Sequence, residues 1–337
     1  MAALYSYLKE IVMAACPFSV ASRQAVREAL THPHLGVRPT EEPVPAALIG
    51  TPAHSIFASL VRMNDGAGQR ELKGAIEAAL AAITDDEIRQ TTVYVAQRLA
   101  ASLTTAEQLT RFNYALPICV LADLLGVAHQ DRSTLVDEVL DFVRCIAPGG
   151  SVEQMAAGAV AAGKLQIRMQ RTDGPLFELL CQHIGDRSLA IANAIGLWFQ
   201  ACEGTAGLIG QTLLLVNQRH QPAEALILAV LQQTPPIHTT RRFARQATWL
   251  DGQPLAVGQS VLVQLKTPQE SFAFGHGAHR CPGERWARLI ALAGIDHLSK
   301  LNFKPELLSH FRWRVSQNAC VPEFYTAEEN NHDRGDF

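Results

Sequence analysis

Hydrophobic positions recur along most of this chain with the three-to-four-residue period of amphipathic helices. Residues 2–15 and 19–31 carry the pattern, and His32-Pro33 ends the second stretch. Residues 37–51 contain Pro39, Pro43 and Pro45, are followed by Pro52, and read as loop. Helical patterns resume at 53–63 and 70–83, joined by the turn signal Asn64-Asp65-Gly66. They continue at 84–102, 106–125, 131–145, 152–170 and 174–184, with Pro148-Gly149-Gly150 as punctuation. The stretch 189–216 is apolar almost throughout, and a shorter helix at 222–233 stops at Pro235-Pro236. Only then does strand-like alternation appear. Residues 248–250 and 260–265, linked across Asp251-Gly252 and Val257-Gly258, predict a small antiparallel sheet. The pattern as a whole predicts a mainly α protein with minor β. No repeat, low-complexity tract or linker divides it, so residues 1–337 are expected to form a single domain.

Composition narrows the classes. A chain of 337 residues with 48% hydrophobic and 18% charged residues fits a soluble globular protein with a sizeable core. The formal net charge of -3 gives nucleic-acid binding no support. Seven scattered cysteines form no disulfide framework, and an odd count suits a reducing cytoplasm. The opening MAALYSYLKEIVMAAC places Lys9 and Glu10 inside its apolar pattern and does not read as a signal peptide. Residues 189–216 have the length to span a bilayer. However, Asn193, Gln200, Glu203 and Gln211 interrupt them, and a carboxylate at mid-depth is expensive in lipid. A helix buried through the middle of a soluble domain fits the same residues, and no membrane partner is expected.

The chemistry concentrates between Phe272 and Arg288, FAFGHGAHRCPGERWAR. Glycines around a single cysteine, Cys281, predict a tight loop that lets a flat ligand approach the backbone. A helical pattern begins just after Gly283, so Cys281 sits near a helix N-terminus, where free N–H groups favour a thiolate. Arg280 and Arg285 are expected to lower the thiol pKa further. Such a thiolate is a nucleophile, a zinc ligand or an iron ligand. Structural zinc needs about four ligands, and no second cysteine lies at CxxC distance.

The run Phe274-Gly275-x-Gly277-x-His279-x-Cys281-x-Gly283 resembles the haem-binding loop of bacterial cytochrome P450 enzymes at every fixed position. The resemblance covers most of the chain. Leu60-Val61-Arg62-Met63-Asn64-Asp65 looks like the family's turn before its third helix. PPIHTTRRFA, from Pro235, looks like the strand segment after its K helix. FRWRVSQNACVPEF, from Phe311, is similar to the C-terminal hairpin whose tip reaches the substrate pocket. It implies a P450-like fold with haem b between a long central helix and the cysteine loop, and Cys281 as axial thiolate. Arg242 and His279 would contact the haem propionates, and Phe274 would pack on the sulfur side. Ala201, Thr239, Thr240 and Asn318 would line the substrate pocket.

Departures from the family pattern shape the expected function. Gln69 and Lys73 stand where a His and an Arg usually meet the propionates. The K-helix segment Ala229-Val230-Leu231-Gln232 lacks the usual Glu/Arg brace, and KTPQE at 266–270 replaces a long meander. That shortening implies a smaller proximal face and altered docking of electron donors. On the distal side the family's acid is present as Glu203, but Gly204 occupies the following threonine position. Thr205 comes one residue late, turned by ~100°. The implied activity is monooxygenase-type oxidation of a small, largely apolar substrate, with Glu203, Gly204 and Thr205 at the distal centre and a ferredoxin-type donor. The alternative is a haem-thiolate protein that uses peroxide, rearranges or dehydrates its substrate, or only binds ligand.

Overall fold

The computed structural model describes residues 18–327 except Ser133, Pro148, Asn217, His220, Asn302, Phe303 and Val315. The helix expected at 2–15, and Pro148 of the punctuation, lie outside the described residues. Residues 19–20 are not helix but strand β1 (Ser19–Val20), because pairing with a later strand overrides the local period. Helix α1 (Arg23–Thr31) starts behind Ser22, whose hydroxyl accepts from the Ala25 N–H. After β2 (Leu35–Gly36) comes α2 (Pro52–Ser59), with proline in its first turn.

The helix expected over 53–63 breaks at Leu60, which is extended, and a 3₁₀ turn spans Val61–Met63. Buried Asn193 holds the break. Its Oδ1 accepts from the Val61 N–H at 3.0 Å, and its Nδ2 donates to the Ser59 carbonyl at 3.0 Å. A polar residue that looked like an interruption of an apolar helix therefore satisfies two backbone groups of its neighbour.

The remaining helices follow the predicted order. They are α3 (Ala67–Ala82), α4 (Asp85–Ala100), α5 (Ala106–Leu125), α6 (Leu135–Ile146), α7 (Val152–Gln170) and α8 (Pro175–Ile184). Capping boxes at Thr84/Glu87, Thr105/Gln108 and Ser151/Gln154 set the starts of α4, α5 and α7. The apolar stretch forms α9 (Arg187–Val216), 30 residues long and buried over most of its length. It packs against α2, α5, α6, α7 and α8, and against α10 (Ala223–Gln233) and α11 (Glu284–Lys300). No helix among the described residues is long and apolar enough to cross a membrane.

The sheet corrects one pairing. Strand β4 (Thr248–Leu250) pairs with β5 (Gln253–Leu255) across Asp251-Gly252, both at positive φ. It does not pair with β6 (Ser260–Gln264), which lies between β1 and β3 (Thr239–Ala244) in the order β1-β6-β3-β2. The two-residue turn is too short to carry the chain anywhere but back onto its own strand. A second hydrophobic cluster joins this sheet to α1 through Val20, Val26, Val263 and Phe272.

The C-terminal hairpin, β7 (Phe311–Trp313) with β8 (Pro322–Phe324), seats on α9 at glycine. A Cβ on Gly207 would lie 2.6 Å from the Cys320 carbonyl oxygen and 2.9 Å from Pro236 Cβ. Four residues on, Gln211 Nε2 donates to the same Cys320 carbonyl at 3.0 Å. Gly207→Val is expected to lower stability by about 1–3 kcal/mol through overpacking. An unchanged urea midpoint would mean that the hairpin does not seat there.

Candidate functional site

Cys281 lies two residues before Gly283, the N-cap of α11. Its own N–H donates to the Phe274 carbonyl at 2.8 Å, closing the loop. Gly275 and Gly277 hold φ of 73° and 68°, which only glycine adopts freely. At Gly277 a Cβ would also sit 2.9 Å from Thr31 Cγ2 of α1. The next residues of α11 anchor the loop from behind. Arg285 donates to the carbonyls of Leu80 (2.7 Å) and Ile83 (2.6 Å) and pairs with Asp85, and the Trp286 indole N–H donates to Leu80.

The Cys281 side chain is exposed, yet burial pushes its thiol pKa up. Surface access combined with dense surroundings describes a sulfur facing an enclosed space. The Gly283 N–H and the charges of Arg62 and Lys73 oppose the shift. Arg280 and Arg285, expected to lower it, do not: Arg280 pairs with Glu284 at 2.7 Å, and Arg285 is spent on the α3–α4 junction. Local sequence distance overstated their reach.

Helix α9 reaches the same neighbourhood, because Arg62 feels the charges of both Cys281 and its Glu203. Its half-buried Leu197, Gln200, Ala201 and Gly204 recur at helical spacing, so one face of an otherwise buried helix is open. Gly204 is on that face, and Thr205 is only 2% exposed and turned into the core, as the one-residue offset predicts. The helix is continuous here, with no bulge to bring Thr205 round. A Cβ at Gly204 would meet nothing nearer than Ile237 Cγ1 at 3.7 Å.

No family model matches the sequence. The biotin biosynthesis cytochrome P450 of Bacillus subtilis (strain 168) is 25% identical over 250 residues, covering 62% of this chain and 63% of that protein. Cytochrome P450 105C1 of a Streptomyces species is 28% identical over 231 residues, covering 56% and 60%. The matched regions thus span less than two thirds of these relatives. Among solved structures, P450BioI in complex with hexadec-9Z-enoic acid ligated acyl carrier protein matches with a TM-score of 0.78 at 18% identity, covering 95% of this chain and 97% of that one. The Bacillus subtilis 168 bacillaene polyketide synthase cytochrome P450 PksS gives 0.71 at 15% identity, covering 91% and 88%. The fold is that of a cytochrome P450.

In sequence and fold, then, the chain resembles the bacterial cytochromes P450, a family whose name implies a haem. The residues here fit that group. Among the described residues no cluster of three or more His, Cys, Asp or Glu is arranged to hold a metal ion, so Cys281 stands as a lone thiol at the space. Arg242 is 5% exposed and has no carboxylate partner. Its Nη1 donates only to the Arg241 carbonyl (2.8 Å) and the Thr240 hydroxyl (3.3 Å), and burial lowers its pKa to about 10. The Asp65 charge supports it only from a distance, and a buried guanidinium with no ion-pair partner suits a carboxylate of the haem.

Relative to the P450 pattern, several expected contacts are already engaged. Gln69 Nε2 and Lys73 Nζ both donate to the Ala278 carbonyl, at 3.2 and 3.0 Å, so they hold the cysteine loop itself. His279 Nε2 bonds Asp65 Oδ1 at 2.9 Å. Thr239 is buried and donates to the Gln317 carbonyl, while the Asn318 carbonyl accepts from the His238 N–H. Glu203 is not satisfied by backbone. It pairs with Arg314 Nε at 3.2 Å, and Arg314 in turn lies over the Tyr114 ring.

Two residues escaped the sequence reading, Arg314 and Arg62. Arg62 is an exposed residue whose guanidinium nonetheless stands 5.5 Å from the ring centre of buried Phe199 on α9. Burial lowers its pKa, against the charges of Cys281 and Glu203. For Arg62 the signal was a lone cation in the apolar segment Leu60–Met63, whereas Arg314 shares the hairpin with Arg312 and Glu323 and nothing local singles it out.

Burial pushes the Asp65 carboxyl up, but the His279 ring, the Val37 N–H and the charges of His279 and Arg245 outweigh it and hold the pKa below the usual carboxylate range. A depressed folded-state pKa contributes stability above the unfolded value of about 3.9 and loses it as pH falls through the folded value. Asp65→Asn should therefore be less stable than wild type at pH 7, with a flatter loss of stability between pH 5 and 2. Parallel acid-unfolding curves would refute the coupling.

Proposed function

We propose that this protein is a haem-thiolate oxidoreductase that binds haem b through Cys281 and oxidises a small, largely apolar substrate. The observation that carries the reading is the lone Cys281 sulfur, exposed on a glycine loop closed against Phe274, with Arg62 near both its charge and that of Glu203 on α9. The P450 fold and the monooxygenase character of the family support it. A thiolate-ligated haem supplies O–O cleavage and oxygen transfer, because the sulfur pushes electron density onto iron.

The chain's own residues do the rest. Arg242 would bind a propionate through paired, charge-assisted bonds. Gln69, Lys73 and the Asp65–His279 pair fix the loop from the rim. Phe274, whose carbonyl closes the loop, would flank the sulfur and limit water there, tuning the potential. Glu203 offers a carboxylate at the open face of α9, with Oε1 held by Arg314. Thr240 lies beside Arg242, and Ala201 lines the open face. Electrons would come from a ferredoxin-type partner in a reducing cytoplasm, consistent with the free thiols.

One observation favours a second reading within the same chemistry. Proton delivery needs donors within about 3 Å of the reacting oxygen, directly or through water. Here Gly204 offers no hydroxyl, Thr205 is turned away, and Glu203 is tied to Arg314. These features support a protein that uses peroxide, or rearranges or dehydrates its substrate, instead of spending reductant and O2.

Two experiments separate the possibilities. Reduced protein under carbon monoxide should show the red-shifted Soret band of a thiolate-ligated haem, and Cys281→Ser should lose it. An unchanged spectrum in the variant ends the haem-thiolate reading. Turnover should then be compared with reductant and with peroxide. Because space at Gly204 admits a side chain, Gly204→Thr should fold normally and raise the fraction of electrons reaching product if the missing hydroxyl limits the first mechanism. Unchanged coupling, together with product formed only from peroxide, selects the second.

A further inference from the structure

Arg62 is a cation without an ion-pair partner, though it feels the charges of Cys281 and Glu203. Among the described residues it makes no hydrogen bond or ion pair, and its one contact of note is the face of Phe199. A guanidinium lying on an aromatic face keeps its N–H edge free to accept a planar, two-oxygen anion. Its position is fixed from below. Asn193 of α9 holds Ser59 and Val61, and Asn64 Nδ2 donates to the carbonyls of Ala58 and Leu60, both at 2.9 Å. The 3₁₀ turn that carries Arg62 therefore cannot drift away from the space beneath it.

The local charges sharpen the point. Arg62 lies close enough to Arg242 to disfavour its charge, the Asp65 carboxylate opposes this without pairing, and neither arginine makes an ion pair among the described residues. The nearby acids are committed: Glu203 to Arg314, and Asp65 to His279. Cys281 is felt as a charge but makes no bond to Arg62. The buried Arg242 guanidinium, with no ion-pair partner among the described residues, is costly unless an anion joins it, and Arg62 lies near it.

We infer that Arg62 is a carboxylate-binding residue of this space, acting beside Arg242. The inference rests on the haem-thiolate reading. Two sources of carboxylate share the chemistry. One is a haem propionate, with Arg62 taking the contact that Gln69 and Lys73 give up to the Ala278 carbonyl. The other is a substrate carboxylate, anchored against Phe199 on the α9 side.

The test uses reconstituted holoprotein and the variants Arg62→Leu and Arg62→Lys, with melting curves to show that each folds. Haem transfer to excess apomyoglobin reports the first source. Release about tenfold faster in Arg62→Leu, with partial recovery in Arg62→Lys, assigns Arg62 to a propionate. Soret titration with 4-phenylbutyrate and its methyl ester reports the second. A wild-type preference for the acid of about tenfold, lost in Arg62→Leu while haem release stays unchanged, assigns it to the substrate. Release and ligand preference both unchanged in Arg62→Leu overturn the inference. Wild-type protein that takes up no haem instead overturns the reading it rests on, so the two failures are distinguishable.

Discussion

Cys281 has to be held rigidly without anything filling the space it faces, and the structure meets that constraint with bonds made behind the sulfur. The loop closes on itself through Cys281 N–H to Phe274, and Gly277 lies against α1 where a side chain would collide. Arg285 and Trp286 bind the carbonyls that end α3. On the α10 side the Ser271 hydroxyl donates to the Leu231 carbonyl at 2.5 Å. A neutral bond thus stands where the family pattern leads one to expect a charged brace. A neutral bond avoids the desolvation cost of a buried ion pair and still fixes geometry.

The order of helices was legible because amphipathic period and capping residues are local properties. Helices α5 and α7 begin and end where the pattern put them, each behind its capping box. What the pattern left open was tertiary. Residues 19–20 became a strand because β6 was there to pair with, and the helix over 53–63 broke because Asn193 supplied partners for the interruption. The site divides in the same way. Cys281 stood out because its chemistry needs a particular residue in a particular local geometry. Arg62 and Arg314 did not, because a cation's role depends on which anions surround it, and those come from remote elements.

The open face of α9 shows how a shared fold leaves room for different side-chain pairing. At 18% identity the chain superposes over nearly its whole length on a P450 bound to an acylated carrier protein. Yet the acid on α9 is answered by an arginine from the hairpin, and that arginine packs on Tyr114 of α5. The hairpin is therefore tied to the central helix by charge at Glu203 and by close backbone contact at Gly207. Its approach to the space is fixed on both counts.

On the opposite side, the short segment 266–270 folds into a tight turn whose Glu270 is gripped by Arg23 and Arg27. Both arginines belong to α1, a nine-residue helix whose last residue, Thr31, abuts Gly277 of the cysteine loop. One stiff rod thus joins an exposed ion pair to the backbone beside the sulfur. The charges that anchor the short segment and the methyl that forbids a side chain at Gly277 belong to one and the same helix.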